Sequence, residues 1–194
     1  MLNKNSRTSN TLKRFAKYVI QQARTNLTKG KKNVNKELYN SLKFRDQDFR
    51  VSPNSIEFNI KMEKYGEFVD KGVKGVKSNY IVNRESPFSY KQSSNLIGLE
   101  GATGTFAKWA KAKGLRYRNV KGQFLSYKSM GFILANSIKN KGLKSSMFFT
   151  KPFEKGLKTL NAELEKSFAF DVATFMEFAL KKNQVENIEV NKKI

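Results

Sequence analysis

The sequence predicts an α+β protein: a small antiparallel sheet flanked by an N-terminal helix and a C-terminal helix, with a long loop-rich insertion. Three observations carry this expectation. Apolar residues recur every three or four positions near both ends of the chain, the helical period. Across Ile56–Met62 they alternate with polar residues, the period of a half-buried strand. Residues 73–103 keep neither period and carry Pro87 and a Ser/Asn/Gln run. The expected organisation is one domain over 1–170, with the insertion at about 73–128, and a helical extension and tail over 171–194.

In chain order, Ser9 or Asn10 is placed to cap a first helix. Leu12, Phe15, Ala16, Val19, Ile20, Ala23 and Leu27 then form one stripe, with Lys13, Arg14, Lys17 and Arg24 off it. A basic loop over 28–36 follows. Leu42–Val51 and Ile56–Met62 read as strands joined by "SPNS", whose Pro53 and Asn54 suit a turn. Tyr65, Phe68 and Val69 have helical spacing, ended by Gly72. "TFAKWAKAKG" is a short helix with Phe106, Trp109 and Ala110 on one side and Gly114 at its end. "VKGQFLSY" has the form of a small hairpin. Met130, Ile133, Leu134, Ser137 and Ile138 make another helix stripe, stopped by Gly142. The "SSMFF" run is expected to form a strand or strand edge. Thr150 and Pro152 open the next helix, whose stripe is Phe153, Leu157, Leu160, Leu164 and Phe168. Asp171 is placed to cap a last, separate helix carrying Val172, Phe175 and Phe178.

Composition bounds the chemistry. A chain of 194 residues that is 39% hydrophobic, with 16 Phe and 7 Tyr, is a folded protein rather than a disordered one. It has neither histidine nor cysteine, which excludes Cys nucleophiles, His-based triads, disulfides and thiolate zinc sites. The first ten residues show no secretory h-region, and no apolar run approaches the ~18 residues of a membrane span. The expectation is a soluble product made in a cytoplasm, with no membrane partner.

The net charge is +22, unevenly spread. Residues 1–36 hold ten Lys/Arg and no acid, and residues 101–153 hold eleven and no acid. Residues 154–194, by contrast, have seven of each sign. Almost all the excess therefore sits in two blocks, a pattern suited to a polyanion or an acidic protein surface.

Among the remaining chemical groups, Glu63, Glu67 and Asp70 share one helix face and are expected to be solvated among lysines. Asp46 and Asp48 lie on one side of the expected first strand, without the Glu-x-Lys triplet of a nuclease. "GATGT" lacks the spacing of a phosphate-binding loop and reads as a flexible connection. Trp109, beside lysines, reads as core or as a base-stacking platform. No cofactor or metal is expected, and no enzymatic activity.

Three motifs in order, "YGEFVDKGVKG", "TFAKWAKAKGL" and "ILANSIKNKGLKSSMFFTKPFEKGL", resemble the neck or tail-completion (head–tail connector) proteins of tailed bacteriophages. The resemblance spans roughly residues 10–168. The long 73–103 segment, the high positive charge and the 170–194 extension depart from it. It implies a non-enzymatic virion protein that forms a ring in the neck, twelve copies favoured and six the alternative. Such a ring joins the portal or an adaptor ring to the tail and gives genomic DNA a passage. The resemblance places Tyr65, Phe68, Val69, Met147, Phe148, Phe149, Pro152 and Phe153 at interfaces between subunits or partners. The basic residues expected to meet an acidic partner or the phosphates of passing duplex DNA are Lys13, Arg14, Lys17, Arg24, Lys29, Lys31 and Lys32, with Lys108, Lys111, Lys113, Arg116 and Arg118. The alternative reading is a free, basic, sequence-nonspecific nucleic-acid-binding protein.

Overall fold

Helix α1 (Arg7–Lys29) buries every residue of the stripe read from its sequence, from Leu12 to Leu27. The computed structural model describes residues 4–30, 36–52, 55–77, 86–95 and 104–191. Within them the chain is α+β, as the periodicities predict. After α1 come α2 (Glu37–Ser41), a 3-10 turn (Asp46–Asp48), β1 (Phe49–Ser52), β2 (Ser55–Phe58), α3 (Gly66–Lys71) and β3 (Val73–Lys74). They are followed by α4 (Thr105–Ala112), α5 (Tyr127–Lys141), β4 (Gly142–Leu143) and α6 (Thr150–Asn191). β1 pairs with β2 and β3 with β4, both antiparallel. The chain divides into two compact units. One holds Met1–Ala23, Leu42–Lys61 and Lys151–Ile194; the other holds Arg24–Ser41 and Met62–Thr150.

In the first unit, α1 and α6 run antiparallel. Thr11 meets Ser167 at 2.8 Å near one end, and Phe15 meets Phe153 edge-on at 5.5 Å towards the other. Gly156 makes this approach possible, because a Cβ there would lie 2.7 Å from a Phe15 ring carbon. Phe15 also packs edge-on against Phe58, and Phe44 against both Phe58 and Phe49, forming an aromatic core over the hairpin.

The hairpin is shorter than its sequence suggests. Leu42–Val51 is not one strand; only Lys43 bridges to Lys61 before the chain coils into the 3-10 turn. Asp48 explains the break. Its carboxylate is buried and takes a 2.6 Å ion pair from Lys61 and hydrogen bonds from Arg45 Nε and backbone N, which an extended strand would not permit. The β1–β2 register that remains is Phe49↔Phe58 and Val51↔Ile56; the expected Pro53–Asn54 turn lies outside the described residues.

A second carboxylate corrects the reading of the C-terminal helices. α6 passes residue 171 without a break, so Asp171 caps no new helix. It caps α1 instead, accepting from Arg7 N and Thr8 N at 2.9 Å each and from Thr8 Oγ1 at 2.7 Å. α1 begins before the expected Ser9 or Asn10 cap, and Ser9 is buried in its first turn.

Both carboxylates titrate below their ordinary value. For Asp48 the Lys61 hydrogen bond is the largest cause, outweighing burial with help from Arg45. For Asp171 burial pushes upward, but hydrogen bonds from Thr8, Arg7 and Ser6 prevail. A folded-state pKa below the unfolded one stabilises the fold above the unfolded value, and that stability is lost as pH falls through the folded value. Thermal melts should therefore hold a constant midpoint down to about pH 5 and fall progressively below about pH 4. Asp48→Asn should make the acid side of the curve shallower. A midpoint unchanged into strong acid would contradict both assignments.

In the second unit, β3 and β4 cross where two glycines face each other. Gly142, at φ 82°, leaves no room for a Cβ against the Val73 carbonyl, and Gly75 none against the Asn140 carbonyl. Lys74 also bridges in parallel to Ser89, so part of the stretch expected to be irregular is tied to β3. α5 starts at Ser126, whose hydroxyl accepts from Ser129 N at 3.1 Å. It buries Met130, Gly131 and Ala135, whereas Ile133, expected on the inner stripe, is exposed. A hairpin forms where "VKGQFLSY" predicts one, but shifted towards the N-terminus, with an Arg118↔Phe124 bridge and with Ser126 and Tyr127 taken into α5.

Candidate interaction surfaces

The "SSMFF" run is not a strand. β4 ends at Leu143, and the chain then wraps the end of α3. Ser146 N and Met147 N donate to backbone carbonyls of Val69 and Asp70 at 3.0–3.1 Å. Met147 adopts a left-handed φ of 49°, which turns the chain inward. Asp70, expected on a solvated face, is buried at 3% exposure. Its Oδ1 accepts from Phe149 N at 2.8 Å and Thr150 N at 3.3 Å, and Oδ2 accepts from the Thr150 hydroxyl. Asp70 thus satisfies the first donors of α6, the role expected of Thr150 alone. The helix that opens at Thr150 is thus held by a carboxylate from eighty residues upstream.

The eight residues expected at interfaces differ in burial. Phe148 is 1% exposed and its carbonyl accepts from Asn26 Nδ2 at 3.2 Å, so it belongs to the core of its own unit. Pro152 is also buried, while Val69, Met147, Phe149 and Phe153 are half-buried, Phe153 against Phe15. Of the eight, Tyr65 and Phe68 are exposed, each at 41%. Phe68 is braced by Phe88, with ring centroids 4.6 Å apart. Partial burial, and secondarily the Glu37 carboxylate, push the Tyr65 phenol above its ordinary value.

The basic residues also sort into two groups. Lys13 donates to the Lys4 carbonyl at 3.1 Å and lies over the Phe49 ring; Arg24 donates to the Tyr39 carbonyl at 3.1 Å and lies over that ring. Arg14 points into a cleft of about 430 Å³ with Arg7, Asn10, Thr11, Lys166 and Ser167, and makes an exposed 3.9 Å pair with Glu163. Such a pair contributes little to stability. Lys17, Lys29, Lys108, Lys111, Arg116 and Arg118 are exposed, and Lys113 is half-buried. Lys31 and Lys32 lie outside the described residues. Among the described residues, Lys108, Lys111, Arg116, Arg118 and Lys121 have no carboxylate partner.

Among the described residues, a run of exposed apolar side chains on α6 was not assigned to an interface from the sequence. On α6, Phe168, Val172, Phe175, Met176, Phe178 and Leu180 are 44–66% exposed. Phe170 is partly covered by the Arg7 guanidinium, 3.2 Å from its ring centroid. Ser167 and Asp171 face α1, which leaves the apolar residues of this stretch outward. At roughly 100 Å² each, the six present on the order of 600 Å², more than a scattering of surface hydrophobics. The signal was legible: apolar residues occupy most of 168–180 on several faces, the mark of a helix that is covered by something. No described helix is long and apolar enough to cross a membrane. Trp109, read as core or stacking platform, is 41% exposed, and only Ala110 of its helix is fully buried.

Comparison with known proteins matches this chain to no family model, no curated protein and no solved structure.

Proposed function

We propose that this chain is a structural virion protein of a tailed bacteriophage, a ring-forming head–tail connector that works by assembly and not by catalysis. The observation that carries the reading is the apolar arm of α6 over residues 168–180. A closed ring uses heterologous contacts, in which two different patches of each copy meet head to tail. The arm is one such patch, and the exposed Tyr65–Phe68 face of α3 is the other. The arm's ~600 Å² is most of the roughly 800 Å² per partner of a standard interface.

A second copy fits the arm better than an unrelated acidic or basic partner. In a chain of net charge +22, residues 154–194 are balanced, so copies can approach there without the repulsion of the acid-free blocks. Those blocks are then left for acidic neighbours, a portal or adaptor ring or tail protein, or for DNA phosphates. Electron microscopy of purified particles tests the reading: a ring of this protein is expected at the portal exit. Particles that lack the protein would refute it. The second reading, a free nucleic-acid-binding protein, is favoured by the cationic hairpin at 115–125.

A further inference from the structure

Residues 115–125 form a braced projection. Leu125 N donates to Tyr117 O and Asn119 N to Gln123 O, both at 2.8 Å, and Gly122 turns the tip at φ 76°. At the base, Leu115 N donates to Ala110 O at 2.9 Å, and Tyr117 N approaches the sulfur of the fully buried Met130 at 3.3 Å. The tip is free, with Val120 wholly exposed.

Arg116 and Arg118 stand on one face of this hairpin. Their guanidinium carbons lie 4.8 and 4.6 Å from the centroid of the Phe124 ring, and Arg116 is also 5.3 Å from that of Tyr127. Phe124 therefore holds two cations in place, which lowers the entropy lost when they bind. Positions i and i+2 of an extended strand are about 6.6 Å apart, comparable to the step between consecutive phosphates of an extended polynucleotide. A guanidinium stacked on a ring still offers its N–H edge to a phosphate and its outer face to an unpaired base.

We infer that this hairpin is a nucleic-acid-binding finger, in which Arg116 and Arg118 take consecutive phosphates of a single strand and stack its bases. The acid-free block around it supplies the long-range attraction, with Lys108, Lys111 and Lys121 unpaired with any described carboxylate. A lipid surface fits less well, because the tip sequence Asn119-Val120-Lys121-Gly122-Gln123 has one apolar residue to insert. The assignment stands on the hairpin's own geometry and does not require the ring.

The single tryptophan, Trp109, lies on α4 just before the hairpin and is a ready fluorescence reporter. The intact protein is titrated with oligo(dT) of roughly 12 nucleotides, the matched duplex, and poly-glutamate. Oligo(dT) is expected to bind most tightly, with affinity falling as salt rises. Arg116→Ala/Arg118→Ala should weaken it by roughly tenfold or more. It should also reduce the log–log salt slope by about 1.4, the share of two single-strand phosphate contacts. Arg116→Lys/Arg118→Lys should keep the slope but lose affinity, since lysine does not stack. Three results would each overturn the proposal: an unchanged affinity in a double-alanine variant of native circular dichroism, a duplex bound as tightly as oligo(dT), or poly-glutamate bound as tightly. The same titration on a Phe175→Asp/Phe178→Asp chain separates the finger from assembly, since its response to the arginine substitutions should persist.

Discussion

Asp70→Ala should destabilise the fold by about 3 kcal/mol, measured by urea unfolding. Its carboxylate is buried and serves two backbone N–H groups and one hydroxyl at the start of α6. Removing it loses a charge-assisted cap and leaves the Phe149 and Thr150 donors without it in a part-buried setting. In a chain of this length that corresponds to a melting shift of about 6–12 °C. Asp70→Asn keeps an acceptor oxygen but not the charge, so it should fall between wild type and alanine. Thr150→Ala should add little on top of Asp70→Ala, because both remove the same contact. A loss below about 1 kcal/mol for Asp70→Ala would mean that α6 is capped by other means.

Phe175→Asp combined with Phe178→Asp should abolish self-association and leave folding almost unchanged. The two side chains are 49% and 66% exposed, so in a single copy aspartate there meets water. In an assembly each would bury an unpaired carboxylate in an apolar seam, which costs several kcal/mol per site and is repeated at every contact of a ring. Phe148→Asp should do the reverse. That residue is 1% exposed, so the charge enters the core of its own unit and the chain should unfold. Sedimentation velocity with circular dichroism on both variants distinguishes the two outcomes. If the arm variant still assembles, the seam lies elsewhere.

The first helix was the most legible part of the fold, whereas Ile133 of α5 and Leu157 and Phe168 of α6, expected on inner stripes, are exposed. The α1 stripe from Leu12 to Leu27 appears in the core residue for residue, because a 3.6 period with charges off the stripe has few other solutions. The glycine stops at Gly72, Gly114 and Gly142 also hold, each at positive φ, since that backbone state is costly for other residues. The carboxylates were not legible. Asp48, Asp70 and Asp171 each serve a partner remote or turned inward, and local spacing is silent about partners 80 or 163 residues away. Asp48 shortened the expected strand, Asp70 replaced a solvated face with a cap, and Asp171 bound α1 in place of opening a helix.

The residues expected at interfaces divide in the same way. Tyr65 and Phe68 are exposed as an interface requires, whereas Phe148 and Pro152 are interior. Three bulky apolar residues in a row are compatible with either fate. What decided it was the left-handed turn at Met147, which aims Phe148 inward. The arm is visible in the sequence as a helix apolar on several faces, but local spacing does not name the partner of its polar residues. That partner is the N-terminus of α1.

Native mass spectrometry of the intact chain, at moderate salt and over a range of concentrations, measures whether copies of this molecule hold one another. A discrete closed oligomer is expected, twelve copies favoured and six the alternative, dispersed by the Phe175→Asp/Phe178→Asp pair. A species that stays monomeric at the highest concentration, with the arm intact, would contradict the reading of this protein as a ring subunit.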